Sequence, residues 1–471
     1  MTRVLVDLKP AFDGLSGIPI ETRALFASLR RLPQNTVLID GLIQAGAAVL
    51  PEASGTAGPD RVIGAARTVA ALDAVRPAGR LNGYRHLARR LRHERAITRM
   101  ARRGRAVRLA DFPADAFGDF LWRGLFAASL PPGDAALVTA PGFKTAWVPR
   151  SDFRLAWART GKPLTLDTRG YDAFVVQSPF PGQAAPGTRL IVRYHDAVPI
   201  YLPHTIQDRQ RHLDIFEQAL RLNVADGAEF ACVSEAARAD LLRLFPEAEP
   251  RARVIPNAVG APFGEAGPGP DAIGGIVARR GGGASWSASE GSPLRYLLAV
   301  GTLEPRKNHA LLVRAWERAR EADSHLRLVL VGGTGWESEE VLAAFAPWRA
   351  TGAAAHLTGV PTRELAALYA HAALTVCPSI YEGFDYPGVE ALRCGGAVLA
   401  SDIPVHREVL GEAAAYYPPY DDAACARAIL ALTGEAGASR RAAMRDAAPG
   451  VTARYEADGL RARWSDLLLR G

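Results

Sequence analysis

Lysine, cysteine and long apolar runs are all scarce in this chain, and each shortage excludes something. Its four cysteines (Cys232, Cys377, Cys394 and Cys425) form no Cys-x-x-Cys pair and sit in apolar contexts. That excludes a zinc ribbon and a disulfide framework, and it points to a reducing compartment. No stretch reaches about 18 consecutive apolar residues, so no segment is expected to cross a bilayer. The chain opens directly on the strand-like run Val4–Leu8, with no signal-peptide pattern ahead of it. The expected location is the cytoplasm, at most on the inner face of the membrane. Of 56 basic side chains only Lys9, Lys144, Lys162 and Lys307 are lysines. The rest are arginines.

What is present is ordinary for a globular protein, with 48% hydrophobic and 22% charged residues among 471. That length calls for two domains of roughly 200 residues each. The net charge of +7 favours anionic partners. Short apolar runs at Val4–Leu8, Thr36–Leu42, Ala136–Ala140, Arg189–Arg193 and Phe230–Val233 read as strands of a first half. Runs at Tyr296–Val300, Leu326–Val331, Ala355–Val360, Leu374–Cys377 and Ala397–Ala400 read as strands of a second. Helical patterns at Glu21–Leu32, His309–Ala319, Glu339–Trp348, Arg363–His371 and Val389–Arg393 alternate with them, the mark of βαβ units and parallel sheets. The expected division is a first α/β domain over residues 1–262 and a Gly/Ser/Pro-rich linker or insertion over 263–293. A second α/β domain covers 294–452, and a terminal helix covers 453–471.

Between Arg80 and Arg108 there are eleven arginines against one acid, Glu94, with apolar residues at Leu81, Tyr84, Leu87 and Leu91. This reads as a basic amphipathic helix. It is either a solvated face over a modest apolar stripe or a surface for anionic lipid headgroups. No aromatic interleaving supports nucleic acid.

The chain is organised around Ser379–Leu392. An apolar strand leads into Tyr381-Glu382-Gly383-Phe384-Asp385-Tyr386-Pro387, then into a helix opened by Pro387. The amides of a helix start lack internal partners and attract anions, while Glu382 and Glu390 can accept from hydroxyls. An anion seat between two hydroxyl acceptors suits a nucleotide sugar. Gly301-Thr302-Leu303-Glu304-Pro305-Arg306-Lys307-Asn308 follows another strand and places two cations where they would neutralise a diphosphate. His195 and Asp196 fall at a strand end, where ligands gather in parallel sheets. The loop of Gly14, Ser16 and Gly17 precedes a helix and either admits a substrate to the backbone or makes a tight turn. Val331–Trp336 does not complete a dinucleotide glycine loop. Asp402–Glu408 reads as a turn closing the site or as a surface loop.

The motifs at Gly301–Asn308 and Glu382–Glu390 resemble those of the retaining glycosyltransferases of family 4. The likeness extends to His195–Asp196, Val233–Glu235, Val254–Asn257 and Gly14–Gly17. The resemblance implies a GT-B fold: two Rossmann-like domains facing across a cleft, with the C-terminal helix crossing back to the first. It implies a hexosyltransferase, mannose first, using a nucleotide diphospho-sugar and a glycan or lipid-linked acceptor in surface polysaccharide or O-antigen assembly. Arg306 and Lys307 would hold the diphosphate, Glu390 the ribose, and Glu382 the donor sugar. Gly301, Gly383, Phe384, Asp385 and Tyr386 would line the donor, Gly17 would lie near the phosphate, and His195 at the reacting carbon. Family members often carry Gly and Leu where this chain has Asp385 and Tyr386. No metal and no cofactor are expected, since no Asp-x-Asp motif occurs. The expected partners are therefore the donor, the acceptor and an anionic membrane surface under Arg80–Arg108, without nucleic acid. A nucleotide-sugar epimerase and a non-catalytic sugar-nucleotide-binding scaffold are the alternatives.

Overall fold

The structure is a computed structural model that describes residues 1–14, 17–44, 58–72, 80–265, 267–281, 286 and 294–470, with the backbone alone at 58, 71 and 80–90. Its first sheet takes β1 (Thr2–Asp7), β2 (Val37–Gln44), β3 (Ala110–Asp111), β4 (Phe143–Ala146), β6 (Ala173–Val176), β8 (Arg189–Tyr194), β9 (Glu229–Cys232) and β10 (Ala252–Val254). The spatial order is β10-β9-β8-β6-β1-β2-β4-β3, and only the β3–β4 pair is antiparallel. β5 (Thr165–Leu166) and β7 (Gln183–Ala184) make a separate two-stranded ribbon. The second sheet takes β11 (Tyr296–Val300), β12 (Arg327–Val331), β13 (Ala354–Leu357), β14 (Leu374–Cys377), β15 (Val398–Ser401) and β16 (Ala414–Tyr417), in the order β13-β12-β11-β14-β15-β16 and parallel throughout.

Strands covered by helices on both faces are apolar along their whole length rather than alternating. Val4, Leu5 and Val6 are all fully buried; Val4 and Val6 join the core under the Gly17–Arg30 helix, and Leu5 joins the core on the other face. In each sheet the chain winds outward from the middle in both directions. The reversals fall between β1 and β6 and between β11 and β14. Crevices at such switch points, outside the carboxyl ends of the strands, are where ligands bind in open α/β sheets.

The C-terminal segment returns to the first half. Leu460, Trp464, Leu467 and Leu468 of the Ala457–Leu469 helix are buried in one cluster with Val4, Val6 and Phe26. Arg189 donates to the Leu467 and Leu468 carbonyls at 2.7 and 3.2 Å. The expected single helix over 453–469 is in fact a short Ala453–Tyr455 turn, a break at Glu456, and then the helix.

Three further expectations are corrected. Ala136–Ala140 is not a strand; Ala135–Thr139 is a short helix, and the strand is Phe143–Ala146. Alanines at 135 and 136 favour helix, and only Val138 of the five is buried, too few for a sheet position. Part of the 263–293 linker is folded: Ala272–Arg280 is a helix whose Ile273, Ile276 and Val277 are buried beside Trp286. Those three supply the i, i+3, i+4 spacing that the surrounding glycines masked. The remainder of that segment, at 266, 282–285 and 287–293, lies outside the described residues, as does Ser16. The helix after Glu382 begins at Tyr386, so Pro387 is its second residue and Asp385 its cap. Arg80–Arg102 is helical, as the periodicity suggested.

A candidate active site between the facing sheets

The loop after β11 carries the two cations. It touches the loop after β12 so closely that a Cβ on Gly332 would stand 2.0 Å from the Gly301 carbonyl oxygen, which only glycine permits. A single turn, Pro305–Lys307, then aims Arg306 and Lys307 at the loop that follows β14. Arg306 donates to Glu382 Oε2 at 2.7 Å and pairs with Glu304 Oε1 at 2.8 Å. Lys307 Nζ and Ser379 Oγ both donate to Glu382 Oε1. Burial alone would push the Glu382 carboxyl up. The charges of Arg306 and Lys307 outweigh it and hold the group down at about 2. Both cations are therefore paired with a carboxylate, and a diphosphate would compete for them.

Eight residues on, Glu390 is equally buried but has no cation. Tyr369 OH donates to its Oε2 at 2.8 Å. Burial dominates, with Asp385 adding to it, and raises the Glu390 carboxyl to about 7. Asp385 points away from the Arg306–Lys307 cluster. Its Oδ1 takes the Gly388 amide at 3.2 Å as the helix cap, and its Oδ2 lies 3.6 Å from Nε2 of the buried His406. Tyr386 turns towards the first half, its ring 3.8 Å from where a Cβ on Gly17 would stand. Phe384 packs edge-on between Tyr386 and Tyr455, with centroids 5.2 Å apart in both pairs.

The first half meets this turn directly. A Cβ on Gly383 would sit 1.8 Å from the His195 carbonyl oxygen, so glycine is what lets the two loops touch. Ser234 caps the Glu235–Leu244 helix through the Ala237 amide and donates across the cleft to the Gly383 carbonyl at 2.7 Å. Tyr381 OH donates to Asp240 at 2.5 Å and accepts from the Ala197 amide at 3.2 Å. At the rim, Trp336 Nε1 donates to the Thr205 carbonyl at 2.7 Å. Glu408 accepts the Glu235 and Ala236 amides at 2.7 and 2.9 Å. Within 402–408, then, Glu408 bridges the halves while Asp402 and Arg407 form an exposed pair. His195 is half-buried, and burial lowers its imidazole to about 3, so it is neutral at physiological pH.

The structure thus brings together Arg306, Lys307, Glu382 and the Gly301 loop as one cluster, and His195, Gly17, Gly383 and Tyr386 as cross-cleft neighbours. Glu390 and Asp385 lie behind the turn on the Tyr369 and His406 side. Sequence reading missed Asp240 and gave Tyr381 no role of its own. It also passed over Arg193, although an arginine inside the apolar run Leu190–Tyr194 is a signal, since a buried charge needs a built partner. A cavity of about 500 Å³ lined by Arg295, Asp323, Thr433 and Arg441 lies at the amino end of β11, away from the loops that follow β11 and β14. Its arginines are satisfied by Asp323 and by backbone carbonyls, so it offers no chemistry. Among the described residues no three His, Cys, Asp or Glu side chains converge as metal ligands, and no helix is long and apolar enough to cross a membrane.

Residues 295–435 match the family model described as glycosyl transferases group 1. O-antigen chain mannosyltransferase B of Escherichia coli is 37% identical over 136 residues, which cover 29% of this chain and 36% of that protein. The chain thus spans about a third of that relative's length. Over its whole length the fold is similar to sucrose-phosphate synthase from Thermosynechococcus elongatus, with a TM-score of 0.57, 16% identity, and coverage of 99% and 98% of the two chains. It is also similar to Anabaena Alr3699/HepE in complex with UDP and glucose, with a TM-score of 0.53, 14% identity and full coverage of both. The architecture is GT-B.

Proposed function

We infer, for a chain whose residues 295–435 form a glycosyl transferases group 1 domain within a GT-B fold, that the cleft transfers a hexose from a nucleotide diphospho-sugar to a glycan or lipid-linked acceptor. Mannose is the first candidate, from the relative's name. The carrying observation is the buried Glu382 carboxylate held between Arg306 and Lys307 at the end of β14.

In this reading the donor's diphosphate takes over Arg306 and Lys307, freeing Glu382 to accept from the sugar's hydroxyls. As the anomeric C–O bond breaks, charge develops on the leaving phosphate. The two cations meet it at the carboxyl end of β14, where preorganised charges act strongly on charge that develops in the transition state. Glu390 takes a ribose hydroxyl. His195, neutral, faces the reacting carbon. The acceptor hydroxyl attacks from the face the phosphate leaves and gives it the proton, so configuration is retained, and no metal is required.

Thermal-shift measurements with GDP, UDP, ADP, NAD and the sugar conjugates, with and without EDTA, test this. One nucleotide diphosphate is expected to stabilise the chain in EDTA by about 2.7 kcal/mol at a hundredfold excess over its Kd, and Arg306→Ala to abolish the effect. A response to NAD alone, or to none of them, refutes it. Conversion of the donor sugar without an acceptor would reveal an epimerase instead.

The acceptor side includes a membrane surface in this reading. Seven arginines between Arg92 and Arg108 are exposed, with no ion-pair partner among the described residues. Vesicles containing anionic lipid are expected to sediment the protein at low salt. Equal sedimentation with neutral vesicles would exclude the headgroup role.

A further inference from the structure

At the Gly17–Arg30 helix a set of buried polar atoms has no hydrogen-bond partner among the described residues: Glu21 Oε2, both amide atoms of Gln177, the Tyr386 hydroxyl and His195 Nε2. Glu21 is 3% exposed and Gln177 fully buried. The atoms come from separate parts of the chain but converge. The register of β6 on β8 pairs Val176 with Val192, so Gln177, one residue past β6, lies alongside Arg193. Arg193 is spent on the protein itself. Its Nε donates to Glu21 Oε1 at 2.9 Å, its Nη2 to Asn257 at 2.7 Å, and its Nη1 to the Ala231 and Ile255 carbonyls, with the guanidinium over the Trp464 ring. It balances Glu21's charge and fixes that carboxylate while leaving Oε2 unused. His195 lies one residue past the end of β8, with its ring near the Gln177 backbone. Tyr386 reaches in from the other half, its ring beside Gly17, and Glu21 is one turn further along that helix face.

We propose that Glu21, Gln177 and Tyr386 form a cross-domain pocket that reads hydroxyl groups of the transferred sugar in a nucleotide diphospho-sugar. This rests on the transferase reading above and names the residues that would select its sugar. The chemistry fits a polyol. A carboxylate oxygen accepts, a phenol donates or accepts, and an amide does both, which matches hydroxyls that each donate and accept. It does not fit the diphosphate, which Glu21 would repel and which has Arg306 and Lys307 on the far side of the turn. Leaving buried polar groups unmet is costly, so a ligand that supplies the missing partners gains affinity. Because Tyr386 belongs to one half and Glu21 and Gln177 to the other, the pocket is complete only when the cleft is closed.

The test is isothermal titration of the full chain with GDP, UDP and ADP and with their mannose and glucose conjugates. Wild type is compared with Tyr386→Phe, Glu21→Gln and Gln177→Leu. For whichever nucleotide binds wild type, Tyr386→Phe and Glu21→Gln are expected to weaken the sugar conjugate about tenfold, the effect of one hydrogen bond. Affinity for the bare diphosphate should stay within about twofold. Tyr386→Phe keeps side-chain shape, and an unaltered unfolding midpoint confirms its intact fold. Glu21→Gln also removes the charge that the buried Arg193 balances, so its midpoint is expected to fall and its affinities are read at a temperature where circular dichroism shows it folded. Equal affinities for wild type and variants would show water-filled, structural groups and overturn the pocket, as would equal losses on diphosphate and conjugate. Unchanged donor affinity with a raised acceptor KM would move the site to the acceptor and overturn the donor assignment. If wild type binds no nucleotide at all, the transferase reading itself falls, and the pocket with it.

Discussion

Glu390 is a buried carboxyl whose supporting partner is a neutral hydroxyl, and this makes its ionisation a measurable load on the fold. The group is 7% exposed, takes one hydrogen bond from Tyr369, and has Asp385 as a charged neighbour of the same sign. Its carboxyl is raised from 4.5 to about 7. The sign follows from proton binding. Between those two values the unfolded chain has lost the proton and the folded chain keeps it, so stability falls as pH rises. The contribution is fully present below about 4.5 and gone above about 7. The gap of about 2.5 pH units, at about 1.36 kcal/mol each, is worth about 3 kcal/mol. Glu390→Gln preserves the acceptor for Tyr369 and removes the titration. Urea unfolding of both proteins from pH 4.5 to 8, scored as the wild-type stability minus the variant's, should show that difference declining by about 3 kcal/mol across the window. A difference that stays constant would mean Glu390 ionises like an exposed carboxylate, and the account of this side of the turn would be wrong. The same titration reaches function. A ribose hydroxyl bonding to Glu390 favours its ionised form, so nucleotide affinity should rise through pH 7 in wild type more steeply than in Glu390→Gln.

Gly383→Ala should hold the halves apart, because its Cβ would stand 1.8 Å from the His195 carbonyl. A hundredfold or larger loss of transfer rate is expected, with a larger radius of gyration in solution scattering and an unfolding midpoint like wild type. Lys307→Ala removes one of the two cations holding Glu382 and should lower kcat by roughly 10²–10³-fold, read in single-turnover transfer assays. Trp464→Ala empties a core position that is 3% exposed and takes the ring from under Arg193. It should cost about 3–5 kcal/mol in urea unfolding, and a loss under 1 kcal/mol would mean the terminal helix is only loosely held.

The second half was the more legible, for a physical reason. Its strands are continuous apolar runs, its helices begin at ordinary signals, and the loops after β11 and β14 carry charged residues where a buried sheet would otherwise offer none. Arg306, Lys307 and Glu382 could be singled out from their motifs, but that they pair with one another follows from β11 and β14 lying side by side in the middle of the sheet. Asp385 could be read in two ways. A carboxylate ahead of a helix serves equally as a cap or as a ligand group, and only the fold shows that its second oxygen faces His406. The 263–293 segment hid a helix because glycine lowers local helical preference by about 1 kcal/mol per residue, whereas burial of Ile273, Ile276 and Val277 against the second sheet supplies what propensity lacks. The unpartnered atoms of Glu21, Gln177 and Tyr386 could not be read at all. Gln177 and Tyr386 stand 209 positions apart in the chain, and what relates them is strand register and the closure of one half on the other. Local sequence encodes which groups are polar. The fold decides which of them are left without partners, and those are the positions where a ligand can be told from its near relatives.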